Sequence, residues 1–372
     1  MIETDLIPPH GGALVNRLAA EKAPSMPTLE LTDEQADDVW NIANGLFSPL
    51  TGFMTERELT SVVERRRLPS GASWTLPIVL DVDTAKVPGR VALTYRGEAF
   101  AVFNAEGPYT ADRIKLAKAV FGTDDPKHPG VAHLNGLKPM FVGGAIELFR
   151  SPESPFSKYR LTPKRTREAF AQAKLATIAA FQTRNPPHIA HEFLQKLALN
   201  HTDGLFINPV IGKKKAGDFN DEVILKCYET LKEQFHPKGR VFLGTLHTWM
   251  RYAGPMEAIF HGIVRQNFGC THLIVGRDHA GVGTYYHPFA AQEVFKDFPD
   301  LKIKPLKYPA AFYCKACAMY TTSTTCPHGP EQQVSVSGTQ IRKAIQEGGK
   351  LDYVIRDEIL SVIRSFPSPF VE

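Results

Sequence analysis

The segment of this sequence with the clearest chemistry is a polar turn at residues 182–191, Gln-Thr-Arg-Asn-Pro-Pro-His-Ile-Ala-His. It separates an apolar run, residues 176–181, from a helix-like stretch. His188 and His191 are three residues apart, so they share one face of the first helical turn. The two prolines are expected to begin the helix, where a missing N–H leaves nothing unpaired. Because a helix N-terminus favours an anion, the turn is predicted to bind a nucleotide phosphate.

A second polar turn, at residues 276–283, follows the apolar run His272–Val275. Its glycines permit close approach of the backbone to a ligand. If both apolar runs are strands of one parallel sheet, both turns lie at the carboxyl edge, where such sheets bind ligands. We therefore expect the two turns to face one crevice. The alternative for the second turn is a glycine-rich loop closed by an internal salt bridge.

A second chemical signal lies nearer the C-terminus and consists of Cys314, Cys317, Cys326 and His328. Three thiolates and one imidazole make a closed tetrahedral set, which suits a structural Zn²⁺. Such a set leaves no position for a substrate, so we expect the zinc to stabilise the C-terminal part of the chain. The alternative is three reduced core cysteines. Cys227 and Cys270 are predicted to be ordinary buried thiols.

The elements that would position these residues alternate between strand and helix from residue 165 onward. The predicted strands are residues 176–181, 204–210, 240–246 and 272–275. The predicted helices are residues 188–200, 221–235 and 255–267. This alternation predicts a Rossmann-like α/β domain with a doubly wound parallel sheet.

The flanking regions have a different character. Before residue 155, short alternating apolar runs predict a mostly β domain with strands at 74–82, 90–95, 99–103 and 139–148 and helices at 33–43 and 111–120. The proline-containing stretch 150–163 is a predicted linker. After the cysteines, two helical patterns at 339–346 and 357–364 belong to a small tail, which we expect to pack on the middle domain.

Composition excludes several classes of protein. The 372 residues carry a net charge of +4, which is too small to indicate nucleic-acid binding. No apolar run approaches the roughly 20 residues of a membrane span, and residues 1–5 lack the basic region of a signal peptide. Five cysteines, three of them within residues 314–326, argue against a disulfide framework and for a reducing, cytoplasmic compartment.

Five segments of the sequence resemble the ATP sulfurylase (sulfate adenylyltransferase) family, in the same order. Residues 182–191 resemble its Q-x-R-N-P-x-H-x-x-H signature, and residues 276–281 its G-R-D-H-A-G loop. The other similar segments are residues 7–12, 250–255 and 336–342. The resemblance implies a β-rich PUA-like domain at 1–155, a catalytic nucleotidyltransferase domain at 156–310 and a small C-terminal α/β domain with a zinc knuckle at 311–372. It leaves no room for the fused adenylylsulfate kinase of some relatives.

The implied reaction converts ATP and sulfate to adenylyl sulfate and pyrophosphate by in-line attack of a sulfate oxygen on the α-phosphorus. Sulfate is already an anion, so no general base is needed, and catalysis depends on positioning and charge neutralisation. The implied catalytic residues are Thr183, Arg184, Asn185, His188 and His191. The implied sulfate contacts are Gln182, Arg184 and the backbone N–H of Ala280. The implied nucleotide contacts are Gln182, Thr183, Asn185, Gly276, Arg277, Asp278, His279 and Ala311.

Asp278 cannot contact an anion favourably, so we expect it to orient Arg277 or His279 or to bind the ribose. Mg²⁺ is implied as the counter-ion of ATP, held by phosphates and water, because the sequence shows no cluster of carboxylates for it. The implied partners are ATP, sulfate, adenylyl sulfate and pyrophosphate, with no nucleic acid and no membrane. A homo-oligomer is expected, with a dimer favoured.

Several points stay open at the level of sequence. Lys213, Lys214 and Lys215 could form a phosphate contact or a solvated surface, and in the segment 337–342 a helix N-cap by Ser337 or Thr339 is simpler than a substrate contact. One alternative function is a nucleotidyltransferase with another acceptor. A second, from a different class, is an RNA-binding protein that uses the PUA-like domain and the zinc knuckle. The physiological direction of the reaction is not determined.

Overall fold

The structure, a computed structural model, describes residues 6–20, 25–335, 338–349, 351 and 353–371. Within those residues the chain forms three β-sheets, and helices pack against them. None of the helices described combines the length and the apolar character that crossing a bilayer requires. The predicted cap at Ser337 and the residues considered for a signal peptide, 1–5, lie outside the described residues, as does the side chain of Thr339.

The N-terminal sheet has six strands in the order β1-β4-β5-β6-β2, with β3 pairing with β6. They are β1 (Thr28–Glu30), β2 (Gly52–Phe53), β3 (Leu80–Val82), β4 (Arg90–Tyr95), β5 (Glu98–Tyr109) and β6 (Met140–Leu148). The helices of this region are α1 (Asp33–Ala43), α2 (Glu56–Arg65), α3 (Arg113–Phe121) and α4 (Pro129–Gly136). Every strand pair is antiparallel except β1 with β4.

The predictions for this region differ from the structure in several details. The expected strand at 74–82 is a strand only from Leu80, because Trp74 turns inward and its indole N–H donates to the Leu76 carbonyl at 2.6 Å. Helix α2 was missed, although its capping box was readable: Thr55 and Glu58 each bond the other's backbone N–H. The predicted linker does not extend to residue 163, because α5 (Pro163–Gln172) begins there with Thr162 as its N-cap.

The central sheet confirms the predicted doubly wound α/β fold. Its strands are β7 (Ile178–Thr183), β8 (Gly204–Ile211), β9 (Val241–Leu243), β10 (Leu246–His247), β11 (His272–Val275) and β12 (Lys304–Lys307). Their order is β10-β8-β7-β11-β12, β9 also pairs with β8, and all pairs are parallel. The predicted strand at 240–246 is two short strands, β9 and β10. The helices that connect them are α6 (Ile189–Leu199), α7 (Asp221–Phe235), α8 (Pro255–Phe268) and α9 (Ala290–Glu293).

Alternate residues of the central strands enter two different hydrophobic cores. Ile178, Ala180 and Phe206 join the core that extends through α5 and α8 into the N-terminal sheet. Ala179 and Phe181 point to the other face, where α6, α7 and the C-terminal tail cover them. Side chains of a strand alternate between faces, so both faces of this sheet are buried, as parallel sheets require. The N-terminal region is therefore continuous in its packing with one face of the catalytic sheet.

The tail packs on the central domain, as predicted. It begins with a small antiparallel sheet of β13 (Ala311–Cys314), β14 (Met319–Thr322) and β15 (Gln333–Val334), followed by α10 (Gly338–Gln346) and α11 (Asp357–Arg364). Helix α11 lies against α7, and the Ile189 N–H at the start of α6 donates to the Val354 carbonyl at 2.9 Å. Arg356 donates two hydrogen bonds to the buried Glu192 carboxylate, at 2.6 and 2.8 Å.

Candidate active site

The two polar turns lie side by side at the carboxyl edge of the central sheet, because β7 and β11 are parallel neighbours. A third loop, residues 248–254 after β10, joins them. Its Tyr252 hydroxyl accepts a hydrogen bond from Arg184 of the first turn at 2.6 Å. Its Gly254 N–H donates to the Ala280 carbonyl of the second turn at 3.0 Å. The third loop thus bridges the two turns, and the sequence had marked it only as one of the segments that resemble the family.

His188 and His191 form a stacked pair at the start of α6. The helix begins at Ile189, so His188 is its N-cap, and its Nδ1 atom accepts the His191 N–H at 3.4 Å. The ring centroids are 3.6 Å apart and the rings are inclined by 25°. The expectation that the prolines open the helix was wrong: Pro186 and Pro187 are buried in the turn that precedes the cap.

Burial keeps both imidazoles neutral. It lowers the pKa of His188 to about 4 and, together with the neighbouring His188, holds the pKa of His191 well below the ordinary histidine value. In a neutral His188 whose Nδ1 accepts a hydrogen bond, the proton must reside on Nε2. The His191 Nδ1 atom is buried and has no partner among the described residues. His188 therefore carries a neutral Nε2–H donor, and His191 retains unused hydrogen-bonding capacity.

The residues between the strand and the cap hold the turn in shape. The Thr183 hydroxyl accepts the Asn185 N–H at 3.2 Å and lies 3.1 Å from the Asn185 carbonyl. Gln182, at the end of β7, has a buried Oε1 atom without a partner in the described chain, and its Nε2 lies 3.9 Å from the Met250 sulfur. A buried amide with only a weak contact has unused hydrogen-bonding capacity at the site.

In the second turn, left-handed backbone conformations aim the peptide groups. Asp278 has φ 56° and Ala280 has φ 55°. The Ala280 carbonyl is used by Gly254, whereas its N–H donates to no acceptor in the described part of the chain. Arg277 and Asp278 form an exposed ion pair at 3.2 Å, which is compatible with one of the roles expected for Asp278. The internal salt bridge of the alternative interpretation is therefore present, but it leaves the Ala280 N–H free.

A buried histidine connects the second turn to the third loop. The His279 Nε2 atom lies 3.2 Å from Nδ1 of His261, which is fully buried on α8. Nε2 of His261 lies 3.6 Å from the Glu257 carboxylate. Glu257 in turn accepts the backbone N–H groups of Arg251 and Ala253, each at 3.0 Å. Burial lowers the pKa of His279 to about 4, so its ring is a neutral group facing the interior. His261 and Glu257 carried no sequence signal beyond their helical spacing.

The lysine run separates into three environments. Lys214 is paired with Asp221 at 2.7 Å and both side chains are mostly buried, so its role is structural. Lys213 lies 3.4 Å from Glu34 of α1. The ammonium group of Lys215 lies 5.0 Å from the Tyr252 ring centroid, beside Arg184. A cavity of about 170 Å³ opens between these lysines, Arg184 and Tyr252. Of the three, Lys215 is the one whose ammonium group lies over the Tyr252 ring.

The predicted residue Ala311 and Arg342, from the segment left open, both lie in the tail. Ala311 is the first residue of β13, which packs against α6, the helix begun by the first turn. Arg342 lies 3.3 Å from Asp218, in the loop that follows β8. The tail thus approaches the catalytic edge of the sheet from the side of α6.

The four predicted metal ligands converge. The Sγ atoms of Cys317 and Cys326 are 3.9 Å apart, and His328 Nδ1 lies 3.5, 3.2 and 3.7 Å from the sulfurs of Cys314, Cys317 and Cys326. Usual Zn–S and Zn–N bond lengths in a tetrahedron place two sulfurs about 3.8 Å apart and a sulfur about 3.6 Å from a nitrogen. The side chains therefore fit one Zn²⁺. Cys227 and Cys270 are buried elsewhere, and burial raises the pKa of Cys270 to about 12.

The sequence and fold also match known proteins. The family profile described as ATP-sulfurylase matches residues 157–366, and the profile of a PUA-like domain matches residues 7–151. The chain is 49% identical to a sulfate adenylyltransferase of Cenarchaeum symbiosum, over 98% of this chain and 99% of that one. It is 48% identical to one of Thermococcus onnurineus, with the same coverage. A solved structure of a hexameric APS kinase from Thiobacillus denitrificans has a TM-score of 0.77 and 24% identity, covering 98% of this chain and 69% of that chain, and so shares the fold.

Proposed function

Since the chain belongs to the ATP-sulfurylase family and has its sulfate adenylyltransferase activity, we propose that the reaction takes place in the crevice between the first and second turns. The observation that carries this proposal is the stacked pair of neutral imidazoles at the N-terminus of α6, which follows Arg184 in the same turn. The physiological direction is left open, because the same groups serve adenylyl sulfate synthesis and its reversal.

Sulfate would bind to Gln182, Arg184 and the backbone N–H of Ala280. Each has hydrogen-bonding capacity to spare: the Gln182 amide makes only a weak contact, the Arg184 side chain is exposed apart from its bond to Tyr252, and the Ala280 N–H is free. A guanidinium suits a tetrahedral oxyanion because its planar fork donates two parallel hydrogen bonds. A small side chain at position 280 leaves the N–H accessible.

The nucleotide would lie along both turns. Thr183 and Asn185 shape the first turn, and Gly276, Arg277, Asp278 and His279 line the second; Ala311 would hold the adenine through its main chain. The phosphates would then approach His188 and His191, whose N–H groups neutralise charge as pyrophosphate departs. The sulfate oxygen attacks the α-phosphorus in line, and its bond forms as the α–β bridging bond breaks. No residue needs to remove a proton from sulfate.

Two metals accompany this proposal in different roles. Mg²⁺ would enter with ATP. Among the described residues, only the cysteine–histidine set brings together three or more side chains that could hold a metal ion, so no carboxylate cluster is available for Mg²⁺. That set would hold a structural Zn²⁺ through Cys314, Cys317, Cys326 and His328. Its four ligands leave no open position, so the zinc would stabilise the tail against α6.

The remaining proposals concern assembly and location. A homo-oligomer, with a dimer favoured, stays a prediction that light scattering can test; the hexameric state named for the structural neighbour describes that protein alone. A cytoplasmic location would keep the four zinc ligands and the buried thiols reduced. Neither alternative function is favoured, because relatives that match nearly the whole chain are sulfate adenylyltransferases.

The decisive experiment measures ATP formation from adenylyl sulfate and pyrophosphate. The wild type should release ATP, and Arg184→Ala and His188→Ala should each lower the rate by about 10²–10³. Matched controls are Arg57→Ala and His201→Ala, which remove the same side-chain types at exposed positions outside the crevice. Wild-type activity that survives Arg184→Ala would contradict the placement of sulfate, and activity that survives His188→Ala would contradict that of the phosphates.

A further inference from the structure

Tyr252 has a backbone conformation that a residue with a side chain seldom adopts. Its φ is 59°, in the left-handed region. Such a residue persists only where its surroundings determine its conformation, and such residues cluster at functional sites. Here the residues on both sides are fixed, because the Glu257 carboxylate accepts the N–H groups of Arg251 and Ala253 at 3.0 Å each. The conformation of Tyr252 is thus imposed from α8.

The carbonyl of Tyr252 is held from two further elements. It lies 3.1 Å from Nε2 of His128 and 3.0 Å from the hydroxyl of Tyr286. Nδ1 of His128 accepts the Gly130 N–H at 3.1 Å, so the proton of the neutral ring is on Nε2, which donates to the Tyr252 carbonyl. One carbonyl therefore receives hydrogen bonds from the N-terminal region and from the loop after β11.

His128 is well fixed for this task. It caps α4 in the N-terminal region and is fully buried. Its ring contacts the Phe121 ring with a centroid distance of 4.9 Å and the Tyr285 ring with one of 4.8 Å. Burial lowers its pKa, which keeps the ring neutral and its tautomer constant. His128 therefore connects the N-terminal region rigidly to a loop of the catalytic domain.

The other end of Tyr252 meets the proposed sulfate site. Its hydroxyl accepts a 2.6 Å hydrogen bond from Nη1 of Arg184, and the guanidinium carbon lies 5.2 Å from the ring centroid. Arg184 is otherwise exposed. An unrestrained arginine loses side-chain entropy when a ligand orders it. A partner that orders it beforehand removes much of that cost from binding.

We propose that Tyr252 is a positioning residue for sulfate, which aims the Arg184 guanidinium through its hydroxyl, and that His128 of the N-terminal domain acts through it by holding its carbonyl. This inference rests on the proposed role of Arg184 as a sulfate contact. It assigns the N-terminal domain a part in substrate binding, transmitted through His128, the Tyr252 backbone and the Tyr252 hydroxyl to Arg184.

The test is the effect of Tyr252→Phe on the forward reaction, followed by pyrophosphate release. Phenylalanine keeps the ring but loses the hydroxyl, so KM for sulfate should rise roughly ten-fold, the usual worth of a hydrogen bond to a charged group. KM for ATP and the melting temperature should hardly change. If the role of Tyr252 were purely structural, Tyr252→Phe would lower the melting temperature and would not raise KM for sulfate selectively. That result would overturn the proposal.

The Arg184→Ala background separates this inference from the proposed function. If Tyr252 acts through Arg184, adding Tyr252→Phe to Arg184→Ala should change KM for sulfate by less than about two-fold, a non-additive result. If Arg184→Ala itself leaves KM for sulfate unchanged, the proposed sulfate site is wrong. If Arg184→Ala raises KM but Tyr252→Phe does not, the site stands and the role of Tyr252 is refuted.

The role of His128 is tested by a pair of substitutions. Glutamine can place a donor near the position of Nε2, whereas asparagine can replace only the Nδ1 acceptor that caps α4. We therefore expect His128→Asn to raise KM for sulfate as Tyr252→Phe does, and His128→Gln to restore much of the wild-type value. Both variants lose the buried ring, so they serve as mutual controls for stability. Equal KM values for sulfate in the two variants would overturn the part assigned to His128.

Discussion

The imidazole rings of His188 and His191 stack with their centroids 3.6 Å apart, and Nδ1 of His188 accepts the backbone N–H of His191. One side chain thus has two duties. Its Nδ1 atom caps the helix, and its Nε2–H is left for the proposed phosphate contact. Because the cap fixes the tautomer, the orientation of the donor is set before substrate arrives, which is the condition for electrostatic stabilisation without reorganisation.

The two duties of His188 can be separated by substitution. Asparagine retains an acceptor for the helix N-terminus but cannot reach the Nε2 position, so His188→Asn should lower the rate of ATP formation by about 10²–10³ with little change in melting temperature. Alanine also removes the cap and should in addition reduce the free energy of unfolding by about 1 kcal/mol. Thermal denaturation and initial rates measure both effects; near wild-type activity in the asparagine variant would contradict the assignment.

Arg184→Lys tests whether the fork geometry of the guanidinium matters. Lysine keeps the positive charge but cannot donate two parallel hydrogen bonds, so KM for sulfate should rise roughly ten-fold or more while KM for ATP stays near the wild-type value. Steady-state kinetics with each substrate varied in turn give the two constants. A parallel rise in both constants would indicate a general effect of charge instead of a sulfate contact.

Removal of one predicted zinc ligand should remove the metal. Metal analysis should find about one zinc per chain in the purified wild type and close to none in Cys317→Ser, because a structural site needs all four ligands. The variant should also melt at a lower temperature, since the sheet that includes Cys314 packs against α6. Cys227→Ser, at a buried cysteine outside the cluster, is the control and should retain its zinc. Zinc-free, fully stable wild type would refute the site.

The bidentate ion pair between Arg356 and Glu192 should stabilise the docked tail. Arg356→Gln leaves a buried carboxylate with a poorer partner, so the free energy of unfolding at neutral pH should fall by about 2 kcal/mol, measured by urea denaturation. Glu192→Gln combined with Arg356→Gln leaves no buried charge and should recover part of the loss. Failure of the double variant to recover would indicate that packing of the Arg356 chain on Phe235 dominates instead.

The same pair predicts a direction of pH dependence. Burial alone would raise the pKa of Glu192, but the bonds from Arg356 and Lys196 outweigh it, and the net pKa is lowered. A carboxyl whose pKa is lower in the folded state binds fewer protons there, so its contribution is present above the unfolded pKa of about 4.3 and is lost as the pH falls below it. When the pH is lowered from neutral to 3, the free energy of unfolding should therefore fall by less in Arg356→Gln than in the wild type.

The sequence by itself determined the local elements and the chemistry of each loop. The boundaries of α1, α7, β11 and α11 were predicted to the residue, because the apolar pattern marks them and, for α1, a capping box at Thr32 as well. The two polar turns and the cysteine–histidine set were also readable, since their ligands are close together along the chain. Short strands such as β9 and β10, and the segment before β3, were not. Between β9 and β10 the Thr245 N–H donates to the distant Tyr159 carbonyl, and before β3 the Trp74 side chain bonds the Leu76 carbonyl.

Only the tertiary structure decided which groups act on which. Tyr252 follows Arg184 by 68 positions and is separated from His128 by 124, so no spacing in the sequence links them. They meet because β7, β8 and β10 end at one edge of a parallel sheet and because the N-terminal region shares a hydrophobic core with α8. The tautomers of His128 and His188 likewise depend on which N–H groups the fold presents to their Nδ1 atoms. Residue types determine what chemistry is available, whereas long-range packing fixes the orientation of each donor.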